Sequence, residues 1–360
     1  MKKFFAFALA IMAFCIAGAQ EAQDAKALYQ EAKKLDDAFK KGIPSAMNPN
    51  ATLTPEAAKG LLQAMDIYEK VMALDTLPDA KGKVKPKYID KIMKSVMIHA
   101  TNGDFARAGG VLFNAGNKFP DAYQAFMISG SLAAQNGVVD SVYAIDFYNA
   151  GNCAFGVDFA AAHEAYAAAR AANIKDPQAY TYDIASLQNL AHQNEAFAPE
   201  AKQMINAISK EAVERFGAAN DYLFNNYMQH FIDESDFAGA LAVIDDALKV
   251  DPNHDNFYRL RGLVNFSNKQ YEAAMADFVK MAELSDNYGY LREAAGYIND
   301  CGKRYLGTLE TVSPEQKASI LSMYNHALSV AKKASQVPDA RPMDDIIEDI
   351  NYNIENANNL

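Results

Sequence analysis

Large apolar residues recur along this chain at three- and four-residue intervals, the spacing of one face of an α-helix, in segment after segment. Between Asp221 and Tyr288 the pattern superposes on itself at a step of 34 residues: Phe237 falls on Tyr271, Ala240 on Ala274, Ile244 on Phe278 and Leu248 on Ala282. The same step sets Gly262 against Gly296 and Tyr271 against Tyr305. Each block predicts two helices, a first or A helix such as Asn256 to Lys269 and a second or B helix such as Tyr271 to Ser285. At a close crossing a side chain larger than alanine forces two helices apart, so Gly262 and Ala274 are expected there, with Tyr271 and Phe278 filling the space beside them. Asp251-Pro252-Asn253 closes a block, because proline suits a first helical turn and disfavours helix at the residue before it.

Upstream, the stripe Ala25, Leu28, Tyr29, Ala32, Leu35, Phe39 predicts an A helix over Glu21 to Lys41. Thr54-Pro55-Glu56 opens the next helix, and the two with the lysine-bearing loop after Asp75 make an N-terminal hairpin and loop over 20–88. In the repeat 89–122, Phe105, Ala108, Leu112 and Pro120 occupy the places of Phe237, Ala240, Ile244 and Pro252. Residues 123–139 show an A-like helix with Phe126 and Gly130 but no full B helix before Gly137, an irregular half repeat. Two hairpins are expected over 140–220 and repeats at 221–254 and 255–288. A repeat at 289–337 follows with Gly296 in place, its B helix delayed by an insertion to Ser313-Pro314-Glu315. After Pro338 and Pro342, Ile346, Ile347, Ile350 and Ile354 mark a polar-backed end helix over 338–360, of the kind that covers the last apolar face of a stack.

The residues Arg261-Gly262, Tyr271-Glu272-Ala273-Ala274, Asp277-Phe278 and the turn at Asp251-Pro252-Asn253, at this period, resemble the tetratricopeptide repeat, most strongly over 89–122 and 221–305. The resemblance implies an all-α solenoid of stacked antiparallel helix hairpins, a right-handed superhelix of about 15 to 16 helices. It also implies protein or peptide binding on a concave face lined by A helices. The positions one turn from the packed stripe are Tyr148 and Asn152, Asn225 and Gln229, Arg259 and Leu263, Glu293 and Tyr297. Family members that clamp a terminal carboxylate cluster Lys, Arg and Asn on successive A helices. Here Arg259 lies between Asn225 and Glu293, which suits an extended peptide held by amide and aromatic contacts better than a clamp.

Composition adds an address and removes several function classes. Residues 1–19 read as a secretory leader: Lys2 and Lys3, an apolar run from Phe4 to Ile16, then Ala17-Gly18-Ala19 before Gln20. Phe14 before Cys15 is too bulky for lipoprotein cleavage. No later run of about 18 uninterrupted apolar residues is present, so no further segment is expected to cross a bilayer. Loss of Lys2 and Lys3 takes the net charge from -11 to -13, which opposes binding to nucleic acid and anionic lipid heads. Cys153 and Cys301, far apart in an array whose contacts run between neighbours, are expected buried and unbridged.

The six histidines, at 99, 163, 192, 230, 254 and 326, never stand at metal-ligand spacing, and Asp251, His254 and Asp255 read as capping groups of a turn. The run Gly296 to Lys303 lacks the glycine spacing, the preceding strand and the Ser or Thr of a phosphate loop, and Ser129-Gly130 lacks the context of a nucleophile elbow. No catalytic residue, cofactor or metal is expected. The chain reads as a non-enzymatic adaptor of the bacterial cell envelope. It is expected in the periplasm, with secretion or outer-membrane association as alternatives, and holding a protein or peptide partner such as envelope assembly machinery. The competing reading, motivated by 19 Tyr and 20 Phe, is a glycan-binding or accessory module of an envelope uptake or hydrolase system. N-terminal sequencing of the protein from an osmotic-shock fraction is expected to give Gln20 as the first residue; a chain that keeps Met1 and stays with the cytoplasmic fraction contradicts the leader.

Overall fold

The computed structural model describes residues 25–46, 48–77, 82–135, 141–338 and 340–360; the expected leader and Glu21 to Asp24 lie outside them. Among the described residues there are sixteen α-helices and no strand. They are α1 (Ala25–Lys41), α2 (Pro55–Asp75), α3 (Ile89–Asn102), α4 (Asp104–Asn114), α5 (Tyr123–Gln135), α6 (Ser141–Ala154), α7 (Phe159–Ala171) and α8 (Gln178–Gln193). There follow α9 (Ala198–Phe216), α10 (Asp221–Asp233), α11 (Phe237–Val250), α12 (Asp255–Ser267), α13 (Tyr271–Leu284), α14 (Tyr288–Gly307), α15 (Pro314–Ser335) and α16 (Asp344–Asn358). The chain divides into two compact units at Ile205, within α9.

Local signals set the helix ends. Thr54 accepts a hydrogen bond from the amide of Ala57 at 3.2 Å with Pro55 in the first turn, which occupies one of the amides a helix start leaves unpaired. Ser313 and Gln316 form a reciprocal capping box at the start of α15. Between α3 and α4 only Gly103 intervenes, at φ +67°, a backbone state that glycine adopts without strain. The loop after α2 is closed by Asp75, whose carboxylate accepts from the amides of Lys87, Tyr88 and Ile89.

From α4 to α7 in the first unit, successive helices meet through a glycine on one and a ring on the next. A β-carbon at Gly109 would lie 2.9 Å from the ring of Phe126, one at Gly130 would lie 2.8 Å from Phe147, and Gly151 faces Tyr166 as closely. On α5 and α6 the ring and the glycine stand one turn apart, Phe126 with Gly130 and Phe147 with Gly151, so each helix offers a ring backwards and a gap forwards. This is how α5, in the segment 123–139 that broke the hairpin rhythm, packs on both α4 and α6. Residues 136–140, including Gly137, lie outside the described ones.

The second unit keeps the longer step. A β-carbon at Gly262 would lie 2.9 Å from the ring of Phe278, as the repeat register requires, and Ala274 is fully buried. Gly296 departs from that register: beyond its own helix backbone nothing lies within 4 Å of the β-carbon position, whereas a β-carbon at Gly302 would lie 2.6 Å from the ring of Tyr324. The reason is the length of α14, 20 residues against 13 in α12, followed by a loop. The delayed α15 crosses α14 farther along, and the glycine at the crossing moves with it. Tyr305, equated with Tyr271 by the same step, accordingly lies near the end of α14 instead of opening a B helix.

Lys333 of α15 donates to the carbonyls of Ala282 and Ser285 at 2.7 and 2.9 Å, satisfying acceptors that the end of α13 leaves unpaired. Helix α16 buries Ile350 and Ala357 and is fastened to α14 by Asp349, which accepts from Asn299 and Lys303 at 2.6 and 2.7 Å.

A charged group is sealed into the first unit. His99, fully buried, faces Asp104 through Nδ1 and Asp36 through Nε2, both at 2.8 Å. Only an imidazolium donates to both. Asp36 also accepts from Tyr68 and Ser95 and pairs with Lys40, and Asp104 accepts from Arg107. Burial opposes the charge on His99, but the bonds to Asp104 and Asp36 outweigh it and raise its pKa above the ordinary 6.5. Burial likewise opposes ionisation of Asp36, and the hydrogen bonds from His99, Lys40 and Ser95 outweigh it and hold its carboxyl well below the ordinary 3.8.

The linkage has two signs. The His99 contribution is complete below pH 6.5 and is lost as pH rises through the raised value; the Asp36 contribution is complete above 3.8 and is lost as pH falls through the lowered one. Urea unfolding followed by circular dichroism should therefore show the first unit most stable in the mildly acidic range between these values. His99→Gln should cost roughly 3 to 5 kcal/mol there, because the two buried carboxylates lose the buried charge they share and keep only the partly exposed Lys40 and Arg107. The variant should also lack the loss of stability that sets in as pH rises above 6.5, and an unchanged slope there would contradict the assignment.

Candidate functional site

The A helices of the second unit lie side by side, tied by side chains about one repeat apart in sequence. The Asn256 amide donates to Asp221 and to Asn225, each at 2.9 Å, joining α12 to α10. Arg259 donates to Glu293 at 2.8 Å, joining α12 to α14, and its guanidinium lies 5.8 Å from the centre of the Tyr290 ring. Contacts at this separation exist only when equivalent helices are neighbours, so the hairpin period itself builds a common face from α10, α12 and α14.

The expected binding positions are used unequally. Asn225, Arg259 and Glu293 come together on this face, although their polar groups are engaged with one another or with Asn256. Tyr297, one turn beyond Glu293, is half-buried and stacked on Phe278 with ring centres 4.9 Å apart. Leu263 packs against the apolar core, and Gln229 donates along its own helix to Asp233 at 2.8 Å. In the first unit, Asn152 accepts from the Tyr166 hydroxyl at 2.8 Å, and the Tyr148 ring lies 5.9 Å from that of Tyr166.

Beside Glu293 and Tyr297 opens a cavity of about 610 Å³. Tyr288, Arg292, Glu293, Gly296, Tyr297 and Asp300 of α14 form one wall, and Arg341, Pro342 and Ile346 the other. The Tyr288 hydroxyl donates to the carbonyl of Arg341 at 3.3 Å and lies 3.6 Å from the Met343 sulfur, which holds the second wall onto α14. Sequence reasoning missed Arg292 and the residues of the second wall. The available signals were the two prolines, Pro338 and Pro342, which turn the chain back, and a glycine that the register assigned to a crossing.

The two cysteines among the described residues are turned inward. Burial pushes the Cys153 thiol up to about 11 and the Cys301 thiol up to about 12, which removes the thiolate at neutral pH, and neither is bridged. Among the described residues no group of three His, Cys, Asp or Glu is arranged to hold a metal ion, and no helix is long and apolar enough to cross a membrane. At the turn after Pro252, Asp251 accepts from the amide of Asn253 at 3.1 Å, which closes the turn between α11 and α12 and caps no helix amide. His254 does not cap: its ring stacks on Phe257 at 4.2 Å, since a ring next to an apolar partner gains more from contact than from the solvated turn.

No protein-family model and no curated protein matches the chain. Among solved structures it is similar to YrrB, described as a TPR protein with an unusual peptide-binding site, at 16% identity over 52% of this chain and 87% of that one, with a TM-score of 0.37. It is similar to the TPR2AB domain of yeast Sti1 in complex with pHSP90, at 15% identity over 91% and 98%, TM-score 0.24. It is also similar to the human IFIT1 dimer with m7Gppp-AAAA, at 12% identity over 94% of each chain, TM-score 0.30. In its helix pairing, its 34-residue step over α10 to α13 and its glycine at the Gly262 crossing, the all-α fold of stacked hairpins resembles the tetratricopeptide repeat.

Proposed function

We propose that this chain is a non-enzymatic interaction scaffold that holds a protein or extended peptide on the face made by its A helices. The observation that carries this reading is the alignment of α10, α12 and α14, which brings half-buried polar and aromatic groups from three repeats onto one surface. Such a surface offers hydrogen bonds and ring faces at regular intervals, which suits an extended chain with periodic side chains. The buried thiols and the imidazolium clamped between two carboxylates fit a structural role for the chain's reactive groups.

The cellular setting proposed is the periplasm of a bacterial envelope, with assembly machinery there as the source of partners; the leader-like sequence at residues 1–19 supports it. The test is capture from an envelope extract on the immobilised chain starting at Gln20. One dominant protein is expected. The paired substitution Arg259→Gln with Glu293→Gln removes both charges together, so neither is left stranded, and should weaken that capture about tenfold, the loss of one charged hydrogen bond to the partner. A blank capture together with retention on a polysaccharide column would overturn the scaffold in favour of glycan recognition.

A further inference from the structure

We propose that the cleft between α14 and residues 341–346 is a binding site for an acidic stretch of polypeptide, with Arg292 and Arg341 receiving a side-chain carboxylate. This deepens the scaffold reading and rests on it for the class of partner. The chain has eight arginines. Six are engaged: Arg107 with Asp104, Arg170 with Asp183, Arg215 with Glu211, Arg259 with Glu293, Arg261 with Asp277, and Arg304 over the ring of Phe266. The remaining two, Arg292 and Arg341, have no ion pair, hydrogen bond or ring contact through their side chains among the described residues, and both border this one cavity. In a chain with 45 acidic and 34 basic residues, two arginines left without counter-charges at a single cleft are a specific arrangement.

The acids in the lining do not neutralise them. Both oxygens of Glu293 accept from Arg259, and Asp300 lies 3.6 Å from Lys303, which also binds Asp349. The walls are fixed, since Tyr288 holds the Arg341 carbonyl and Met343 is buried behind it. Gly296 opens the space, with nothing within 4 Å of its β-carbon position. A guanidinium presents paired donors in the plane of a carboxylate, and Tyr297 and Ile346 provide apolar surface for the adjoining carbon skeleton. The two guanidinium groups come from one A helix and from a segment outside the repeats, so the site belongs to the way this chain ends its stack.

The test uses the chain starting at Gln20 and a fluorescein-labelled hexaglutamate peptide, with hexaglutamine as the neutral comparison, read by fluorescence anisotropy at low salt. Hexaglutamate should bind and hexaglutamine should not, and binding should fall as salt is raised. Arg292→Gln and Arg341→Gln should each weaken binding about tenfold, the loss of one charged hydrogen bond. Gly296→Leu puts a side chain into the cleft without striking the fold and should abolish binding while thermal unfolding stays unchanged or rises. Equal binding by the arginine variants, equal binding of hexaglutamine, or displacement by equimolar inorganic phosphate would each overturn the proposal. An envelope partner captured equally by wild type and by the arginine variants would sink this site and leave the scaffold standing. Arginine-dependent hexaglutamate binding with no captured partner would do the reverse.

Discussion

At five crossings a glycine in one helix faces an aromatic ring from the next, and at each the volume of a β-carbon is already occupied by that ring: Gly109 with Phe126, Gly130 with Phe147, Gly151 with Tyr166, Gly262 with Phe278, and Gly302 with Tyr324. A ring laid across a glycine brings two backbones closer than any larger residue permits and buries a large apolar area in the same step. At these five places the contact therefore fixes where one helix crosses the next. The remaining packing follows, because a helix held at one crossing has its other faces assigned to core, to the preceding helix or to solvent.

Position is also what gives the candidate surface its content. With α12 set against α13 through Gly262 and Phe278, the opposite side of α12 meets α10 and α14, and Asn256 and Arg259 fall beside Asn225 and Glu293. The shift of the next crossing from Gly296 to Gly302 has a different consequence. It leaves Gly296 facing open space, and the returning segment at Arg341 to Ile346 encloses that space instead of filling it. The feature that breaks the repeat thus makes the cavity.

Much of this was legible in the sequence where it depends on spacing along one helix or between adjacent ones. Phe105, Ala108, Ile244, Ala274 and Phe278 read as core from their period and are buried, and Thr54 and Ser313 read as helix starts and cap them. Gly296 misled because register alone cannot register the lengthening of α14. The charged group at His99 was invisible for another reason: one of its carboxylates, Asp36, is 63 residues away, and no local pattern announces that they meet. The binding positions were legible as a face but not as individuals, since Leu263 turns to the core and Asn152 is taken by Tyr166. The cleft escaped because Arg341 lies outside every repeat.

The claim that glycine and ring are coupled across the crossing is tested most directly by a double-mutant cycle on Gly262 and Phe278, with unfolding free energies from denaturant titration. Alone, Gly262→Ala should destabilise by about 1 to 3 kcal/mol because the methyl group has no room. In the Phe278→Leu background, where the ring edge is gone, the same substitution should cost far less, giving an interaction energy of about 1 kcal/mol or more. Strict additivity of the two substitutions would contradict the account, since it would mean that the helices cross where they do for reasons unrelated to the missing β-carbon.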